Sequence, residues 1–342
     1  MSALKYYRPL VQTGPIRPDD ALPLAGGACW FTQAEEITRD GASRIVSPHH
    51  IPPETLTRLT TPRAPIAGMD LSKPNIMGIL NVTPDSFSDG GDHSGPAQAL
   101  ARARRMAADG ADLIDVGGES TRPGAMEVPV EAEIARTVPV IAAIRSELDV
   151  AISIDTRKLP VAQEAADAGA NIVNDVSGFT FDRKLAPFCA KTGLPVCVMH
   201  AQGDPETMQD NPRYDDALLD VYDFLAAQVI MLGNLGIPRD RIIVDPGIGF
   251  GKTIDHNLRL LSGISLFHGL GCPVLLGASR KGFIRTIGQA PGAKDRMPGS
   301  LAVGLAAVAQ GVQILRVHDV KETRQGLALW HAATNGTHEG IA

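Results

Sequence analysis

AISID, residues 151–155, is a short apolar run that ends on a carboxylate, and a helix-like segment over 160–168 follows it. This unit occurs eight times between Asn75 and about Thr334. The eight runs are IMGILNV (76–82), DLIDVGG (112–118), AISID (151–155), IVNDVSG (172–178), PVCVMH (195–200), IIVDPG (242–247), PVLLGAS (273–279) and ILRVHD (314–319). Strands that alternate with helices predict βα crossovers and a parallel sheet that is buried on both faces. The polar residues that end the runs are therefore expected to face one shared pocket.

The number of units decides between two α/β folds. Eight units over roughly 260 residues match the size of a closed (β/α)₈ TIM barrel. An open doubly wound sheet usually has a glycine-rich phosphate turn after its first strand. Here NVTPDSFSDGG (81–91) follows the first run and contains no GxGxxG. The sequence predicts a barrel over 74–342, with helices expected over 96–109, 130–147, 160–168, 183–192, 215–234, 254–269, 301–310 and 320–333.

Residues 1–73 differ from the rest of the chain. Ten of the 25 prolines lie between Pro9 and Pro74, and no period of two or 3.6 residues persists there. We expect a proline-rich N-terminal extension that is partly ordered and packs on the barrel or on a partner subunit. Its role does not follow from its sequence.

Composition excludes several classes of function. A formal net charge of −6 argues against broad nucleic-acid binding, which needs a basic face. The sequence has no apolar run near the roughly 18–20 residues of a membrane span and no secretory signal at its start. Four scattered cysteines have no metal-type spacing and are expected to be reduced. These features favour a cytoplasmic protein that acts on small molecules, without nucleic-acid or membrane partners.

Three of the polar strand ends indicate a flat heterocycle as the ligand. Asp155 and Asp245 end the third and sixth strands, on opposite walls of a closed barrel, and Asn174 ends the fourth between them. A carboxylate can accept two hydrogen bonds from an N–C–NH₂ edge, and an amide both donates and accepts. A single aspartate in such a place is also a common helix N-cap. Asp115 and His200 receive no role from the sequence, and either is compatible with a structural one.

Basic residues follow the last two strands. Lys281 comes directly after the seventh, and Arg316 and His318 alternate on the eighth, so that they share a face. The corresponding loops of many barrels bind phosphate, and three cations near one spot favour an anion such as pyrophosphate. A surface ion pair, a core histidine or a Schiff-base lysine are the alternatives.

The loops after the first two strands are unusually polar. NVTPDSFSDGG (81–91) and GGESTRPG (117–124) are dense in glycine, proline, serine, threonine and aspartate. They also carry functional groups, namely Asp85, Asp89, Thr121 and Arg122. We expect lids that become ordered over a ligand.

Seven segments resemble the dihydropteroate synthases of folate biosynthesis. They are MGILNVTPDSFSDGG (77–91), IDVGGESTRPGA (114–125), IDTRK (154–158), NIVNDVSG (171–178), VDPGIGFGKT (244–253), GASRKGF (277–283) and LRVHDVKET (315–323). The resemblance runs from about Leu71 to the last helix, in order, and does not include the first seventy residues. It implies a transferase that joins 6-hydroxymethyl-7,8-dihydropterin pyrophosphate to p-aminobenzoate, through a carbocation-like step, in a homodimer.

The resemblance also implies roles for individual residues. The pterin ring would contact the positions matching Asp155, Asn174, Met199, Asp245, Phe250, Gly277 and Lys281. The pyrophosphate would lie at those matching Asn81, Thr121, Arg316 and His318, with Asn81 as the protein ligand of Mg²⁺. The p-aminobenzoate site would include Asp85, Phe87, Thr121, Arg122, Pro123, Phe250, Lys281 and Ser279. Asp155, Asp89 and Lys281 are the expected catalytic residues.

Two positions depart from the family pattern. Ile248 stands where an aromatic residue is frequent, and Ala201 stands where methionine is common. Both changes keep the polarity, so the mechanism should be unaffected. The resemblance implies a sulfonamide target, but these changes leave sulfonamide sensitivity open.

Two other functions compete with the synthase. A methyltetrahydrofolate methyltransferase domain would share the aspartate–asparagine clamp but would need neither the pyrophosphate cluster nor the GGESTRPG loop. A non-catalytic pterin-binding paralogue would need no reactive groups in the lids. Lys281, Arg316 and His318, taken with the two loops, favour the synthase.

Overall fold

The computed structural model describes residues 4–83, 95–120, 124–203 and 207–337. In the N-terminal extension, β1 (Lys5–Pro9), β4 (Ala34–Thr38) and β5 (Ser43–Val46) form an antiparallel sheet in the order β1-β4-β5. The strands β2 (Leu22–Pro23) and β3 (Trp30–Phe31) form a second pair, and helix α1 spans Pro53–Thr60. These elements share a small apolar core of their own, which includes Tyr7, Leu24, Phe31 and Leu59.

The rest of the chain folds around eight parallel strands. These are β6 (Asn75–Asn81), β7 (Leu113–Gly117), β8 (Ala151–Asp155), β9 (Ile172–Asp175), β10 (Val196–Met199), β11 (Ile242–Asp245), β12 (Leu275–Leu276) and β13 (Ile314–Val317). The hydrogen-bonded order is β11-β10-β9-β8-β7-β6-β13-β12. A parallel bridge between Val244 and Val274 joins the two ends of the sheet, and the Val244 N–H donates to the Pro273 carbonyl at 2.9 Å. The predicted barrel is confirmed.

Helices surround the strands. They are α2 (Gly95–Ala108), α3 (Val130–Glu147), α4 (Leu159–Asp167), α5 (Leu185–Thr192), α6 (Ala217–Asn234), α7 (Ile254–Ser262), α8 (Gly282–Ile287), α9 (Met297–Val308) and α10 (Val320–Asn335). The largest departure from the predicted bounds is the helix expected over 254–269, which ends at Ser262 and is followed by a 3₁₀ segment, Ile264–Leu270. A Cβ on Gly263 would lie 2.5 Å from a methyl of Leu218, so α6 packs against backbone at the break.

Helix α6 is, by length and composition alone, apolar enough to cross a membrane, contrary to the expectation from the sequence. Its apolar residues have another explanation, because seven of them are buried in the molecule, from Ala217 to Leu232. Two of its polar residues, Asp220 and Asp223, form ion pairs with Arg39 of the N-terminal extension. The helix is thus covered on one face by the barrel and is contacted elsewhere by the extension.

The amino end of the barrel is closed by an apolar layer. Ile66, Met69 and Leu71, just before β6, pack on Met77, Leu113, Ile172, Cys197, Ile243, Leu275 and Ile314 from seven of the strands. All of these side chains are at most 4% exposed. The opposite, carboxyl end is where the strands place their charged residues.

Candidate active site

An arginine and two aspartates form the floor of the pocket at the carboxyl end. The Arg316 guanidinium, on β13, donates from Nε to Asp115 Oδ2 at 2.6 Å and from Nη2 to Asp155 Oδ2 at 2.7 Å. The amide nitrogen of Asn174 lies 3.4 Å from both oxygens of Asp115. The strands β7, β8 and β9, together with β13, therefore supply one connected set of polar side chains.

Strand geometry explains why these residues meet at different depths. Asp155 ends β8 beside Gly117, whereas Asp115 lies two residues earlier on β7, beside Ser153. Residues two apart on a strand share a face, so Asp115 lies one layer deeper in the barrel than Asp155. It is fully buried, and the Ser153 hydroxyl donates to it. A buried carboxylate needs a partner of this kind, and Asp115, which received no role from the sequence, thereby anchors Arg316.

Burial has a direct electrostatic consequence for Asp155. It raises the pKa of this carboxyl to about 8, an effect that Arg316 opposes and the neighbouring Asp115 reinforces. A positive charge developing above Asp155 would be stabilised by the ionised form. Ionisation of Asp155 therefore carries a desolvation cost, with only one guanidinium shared between two acids.

Asp245, Lys281 and Phe250 form the other wall. Asp245 ends β11 and accepts a 2.7 Å hydrogen bond from the Gly247 N–H, while burial raises its pKa. Lys281 Nζ lies 3.9 Å from the centre of the Phe250 ring. A Cβ on Gly277 would lie 3.5 Å from Asp245 Oδ2, so Gly277 borders the carboxylate at van der Waals distance. This wall combines an acceptor, a cation and an aromatic face.

An apolar cluster lies next to that wall. Met199 at the end of β10 packs with Phe250, Val176 and Met208, and each is at most 8% exposed. Sequence reasoning did not find Met208, which lies in the 207–216 segment between β10 and α6. Flat apolar and sulfur-containing side chains suit the face of a heterocycle, as carboxylates suit its edge.

The basic residues expected at the ends of β12 and β13 require a correction for the charge of His318. His318 Nδ1 lies 3.0 Å from the Ser279 hydroxyl, and burial together with Arg280 and Arg316 lowers its pKa to about 3. His318 is therefore neutral, and Arg316 is already bound by two carboxylates. The sequence suggested three available cations at this place, whereas burial keeps the pKa of His318 low, and a nearby anion would raise it.

The loop after β11 is anchored by a buried lysine. Lys252 Nζ lies 2.9 Å from His200 Nδ1 and donates to the carbonyls of Gly247 at 2.9 Å and Phe250 at 3.0 Å. Gly247 has φ +68°, and a Cβ there would lie 1.9 Å from the His200 carbonyl oxygen. The role of His200 is thus structural: together with Lys252 it fixes the turn that presents Phe250.

A second buried lysine holds the base of the GGESTRPG loop. Lys158 Nζ donates to Glu119 at 3.2 Å, to Glu133 at 2.9 Å and to the Val128 carbonyl at 2.6 Å. Glu119 precedes the loop tip and Val128 follows it, and the Val128 N–H donates to Glu119 at 2.9 Å. One ammonium therefore ties both stems of the loop together.

Comparison with known proteins identifies this arrangement. The family model described as pterin binding enzyme matches residues 77–318. The dihydropteroate synthase of Escherichia coli (strain K12) is 47% identical over 264 residues, which cover 77% of this chain and 93% of the relative. The chain belongs to the dihydropteroate synthase family.

Solved structures of the family agree with the fold. Yersinia pestis dihydropteroate synthase, in a complex with a sulfonamide drug, has a TM-score of 0.75 and 45% identity, and the match covers 79% of this chain and 98% of that one. The Xanthomonas albilineans enzyme in complex with 7,8-dihydropteroate has a TM-score of 0.73 and 39% identity, over 80% and 98% of the two chains. The family model begins at residue 77, so the N-terminal sheet and α1 precede the matched region.

Several residues that the family resemblance assigns to the lids cannot be placed. Asp85, Phe87, Asp89, Thr121, Arg122 and Pro123 lie outside the described residues. The assigned roles of these six remain predictions, as do those of the described site residues.

Asn81 is the residue expected to bind Mg²⁺. Over the described ranges, no group of three or more histidine, cysteine, aspartate or glutamate residues forms a metal site. Asn81 Oδ1 and Asp155 Oδ2 would lie 3.6 and 3.7 Å from a Cβ on Gly117, so both oxygens flank the same glycine. A sparse set of oxygen donors suits Mg²⁺, which keeps water and phosphate ligands, and does not suit a metal held by protein alone.

Proposed function

We propose that this chain condenses 6-hydroxymethyl-7,8-dihydropterin pyrophosphate with p-aminobenzoate, which gives 7,8-dihydropteroate and pyrophosphate. The observation that carries the proposal is the buried Asp115–Arg316–Asp155 set, with Asn174 beside it and Asp245 and Lys281 opposite. Membership of the dihydropteroate synthase family gives this pocket its substrate class.

The pterin would lie between the two walls. Its N–C–NH₂ edge would donate to the carboxylate of Asp245, and Asn174 would accept and donate at the ring edge. Lys281 would supply a donor to the oxo group, while its contact with Phe250 keeps the ammonium in place. Met199 and Phe250 would cover the ring faces. Asn174, Asp245, Met199 and Phe250 are buried, so these contacts would favour a flat, donor-rich ring over other ligands.

The pyrophosphate would lie at the ends of β12 and β13. Arg316 keeps its place through Asp115 and Asp155, and His318 is held by Ser279. A phosphate group beside His318 would favour the imidazolium, so the site acquires a positive charge when the substrate arrives. Thr121 is proposed to complete the site from the second loop.

Magnesium is proposed as the cofactor, with Asn81 as its protein ligand. When bound, it would neutralise charge on the leaving pyrophosphate. The residues of the chain do the remaining work at this place: Arg316 and His318 stabilise the phosphate oxygens, and Asn81 orients one edge of the group.

Bond breaking is proposed to precede bond making. The C–O bond to the pyrophosphate breaks, its electron pair leaves with oxygen, and the positive charge spreads from the methylene into the pterin ring. Asp155, beneath the ring, and Asp89, from the first loop, would stabilise that charge. The aniline nitrogen of p-aminobenzoate then attacks the methylene and loses a proton. The proposed contacts of the p-aminobenzoate are Phe87, Arg122, Pro123 and Ser279. Asp85 lies in the first loop, as Phe87 does, and is proposed to belong to the same site.

An assay with separate omissions tests the reaction. Pyrophosphate release should require the pterin substrate, p-aminobenzoate and Mg²⁺ together, with one 7,8-dihydropteroate formed per pyrophosphate. Binding of the pterin without turnover would instead identify a non-catalytic pterin-binding protein. Methyl transfer from methyltetrahydrofolate, without pyrophosphate release, would identify the methyltransferase alternative, and either result would refute the proposal.

We further propose a cytoplasmic homodimer that associates through the outer helices. Ile287 on α8 and Leu329 on α10 are 57% and 64% exposed, and Ala302 and Ala306 on α9 are also exposed between them in sequence. These apolar side chains would be buried in such an interface. A dimeric mass in solution that Leu329→Glu reduces to a monomer would support the interface, and a monomeric wild type would refute it.

A further inference from the structure

We infer that Arg39 of the N-terminal extension is a positioning residue for the pterin slot, the space beside Met199, Met208 and Phe250. Arg39 would act through Asp220 of α6, which in turn holds the 207–216 segment in place. This inference rests on the proposed function, because the slot is the one assigned to the pterin. It concerns a residue outside the part of the chain that the family model matches.

The 207–216 segment contributes directly to the slot. Met208 packs with Met199 and Phe250 in the apolar cluster. Two side chains of the segment also bind the loop that carries Phe250: Gln209 Nε2 donates to the Gly249 carbonyl at 2.7 Å, and the Tyr214 hydroxyl donates to the Gly251 carbonyl at 2.8 Å. A displacement of the segment would therefore move both an apolar wall and the aromatic face.

One carboxylate fixes the end of this segment. Asp220, in the first turn of α6, accepts from the backbone N–H of Asp215 at 2.9 Å and of Asp216 at 3.4 Å, both through Oδ2. Its other oxygen accepts from Arg39 Nη1 at 2.7 Å. The same carboxylate thus connects the extension on one side with the slot segment on the other.

Arg39 is itself held in a fixed orientation. Its Nη2 pairs with Asp223 at 2.5 Å, and its Nε donates to the Tyr6 hydroxyl at 3.1 Å. Tyr6 also donates to Asp223 at 2.8 Å and stacks edge-on against Tyr222. All three guanidinium nitrogens are engaged, one by Tyr6 of β1 and two by carboxylates of α6, so Arg39 links the N-terminal sheet to the start of α6.

The ion pairs of Arg39 offset a concentration of negative charge at the start of α6. Asp215, Asp216, Asp220 and Asp223 lie within nine residues around the start of α6. Arg259 pairs with Asp216, and Arg39 pairs with both Asp220 and Asp223. Removal of Arg39 would leave two neighbouring carboxylates without their cation. Their repulsion would loosen the turn that Asp220 organises.

The kinetic test compares three variants of the full chain. Arg39→Met should raise KM for the pterin pyrophosphate about two- to tenfold with kcat little changed, the usual range for a residue that acts through a packed network. Arg39→Lys, which keeps a charge near Asp220, should recover part of the loss. Arg44→Met is the matched control, because Arg44 pairs with Glu36 on the same sheet. It should leave both constants unchanged.

The second readout does not require turnover. Hydrogen exchange of residues 207–216 should be faster in Arg39→Met than in the wild type and unchanged in Arg44→Met. Equal exchange in all proteins, or an equal KM in Arg39→Met and the wild type, would overturn the inference. Equal losses in Arg39→Lys and Arg39→Met, with kcat and melting temperature falling together, would also overturn it. A wild type without synthase activity would refute the proposed function, whereas the exchange data would still decide whether Arg39 controls the segment.

Discussion

The two ends of the barrel are built from the same strands and have opposite chemistry. On β7, Leu113 lies in the apolar layer of the amino end, and Asp115, two residues later, is bound to Arg316. On β13 the same step leads from Ile314 to Arg316. Two residues advance a strand by roughly 6.6 Å, so the barrel interior changes from apolar to charged within that distance.

The two ends should contribute differently to stability and to activity. The amino-end layer buries apolar side chains without any polar group to satisfy, which favours folding. The carboxyl end buries Asp115, Asp155 and Asp245 around the guanidinium of Arg316 and the ammonium groups of Lys281 and Lys252, which opposes folding unless every partner is present. Substitutions at the two ends should therefore affect different quantities.

Asp155→Asn should give the largest effect. It removes the carboxylate beneath the proposed cation while Arg316 keeps its bond to Asp115, so kcat should fall about a thousandfold. Thermal stability should be unchanged or higher, because a desolvated charge is lost. Steady-state kinetics and thermal unfolding of the same sample measure both. Near-normal turnover would place the developing charge elsewhere.

Leu113→Ala should show the reverse pattern at the amino end. Leu113 is fully buried, and the cavity left by its side chain should lower the free energy of unfolding by about 3 kcal/mol. The kcat of the folded protein should not change. Denaturant titration measures this change, with Leu4→Ala as the control because Leu4 is 61% exposed. The free energy of unfolding of that control should stay within about 0.5 kcal/mol of the wild type. A loss of kcat in Leu113→Ala would show that the two layers are coupled.

Arg316→Ala should separate the two parts of the substrate. The affinity for the pterin pyrophosphate should fall about tenfold or more, since a charge-assisted contact with phosphate is lost. Free 6-hydroxymethylpterin should lose much less. Calorimetric titration of both ligands tests the difference, and equal losses would mean that Arg316 serves the ring and not the phosphates.

His318 should give the smallest and most specific effect. Burial and the neighbouring arginines lower its pKa to about 3, and a bound anion would raise it. Binding then takes up a proton, so pyrophosphate affinity should rise as pH falls from about 8 towards about 6. Pyrophosphate itself also titrates in this range, so His318→Gln is the control. Calorimetry in buffers of different ionisation enthalpy should show less proton uptake in the variant, and identical uptake would contradict the assignment.

Local patterns were sufficient to predict much of the barrel. β8 and α3 have the predicted bounds, because their apolar periodicity and their flanking residues act within one element. The N-terminal sheet was not predicted, since it pairs Lys5 with Thr38, a contact between short strands that are distant in sequence. Tertiary contact likewise ended the helix at Gly263, where Leu218 approaches.

The same distinction applies to the site. Asp155, Asn174 and Asp245 were found because they end strands, and parallel strands bring such ends together. Asp115 lies inside its run, and its role depends on its bond to Arg316, which is 201 residues away in sequence. The neutral state of His318 and the contribution of Met208 depend in the same way on surroundings that no local pattern reveals.

The four cysteines have a practical consequence. Cys29, Cys189, Cys197 and Cys272 are all buried and unpaired, and burial raises the pKa of each thiol. Thiol-directed reagents need the thiolate and access to it, so the native protein should react slowly with maleimides. A single cysteine introduced on the exposed surface of the N-terminal sheet would then be labelled selectively. Site-specific fluorescence or spin labelling should therefore be feasible without removal of the native cysteines.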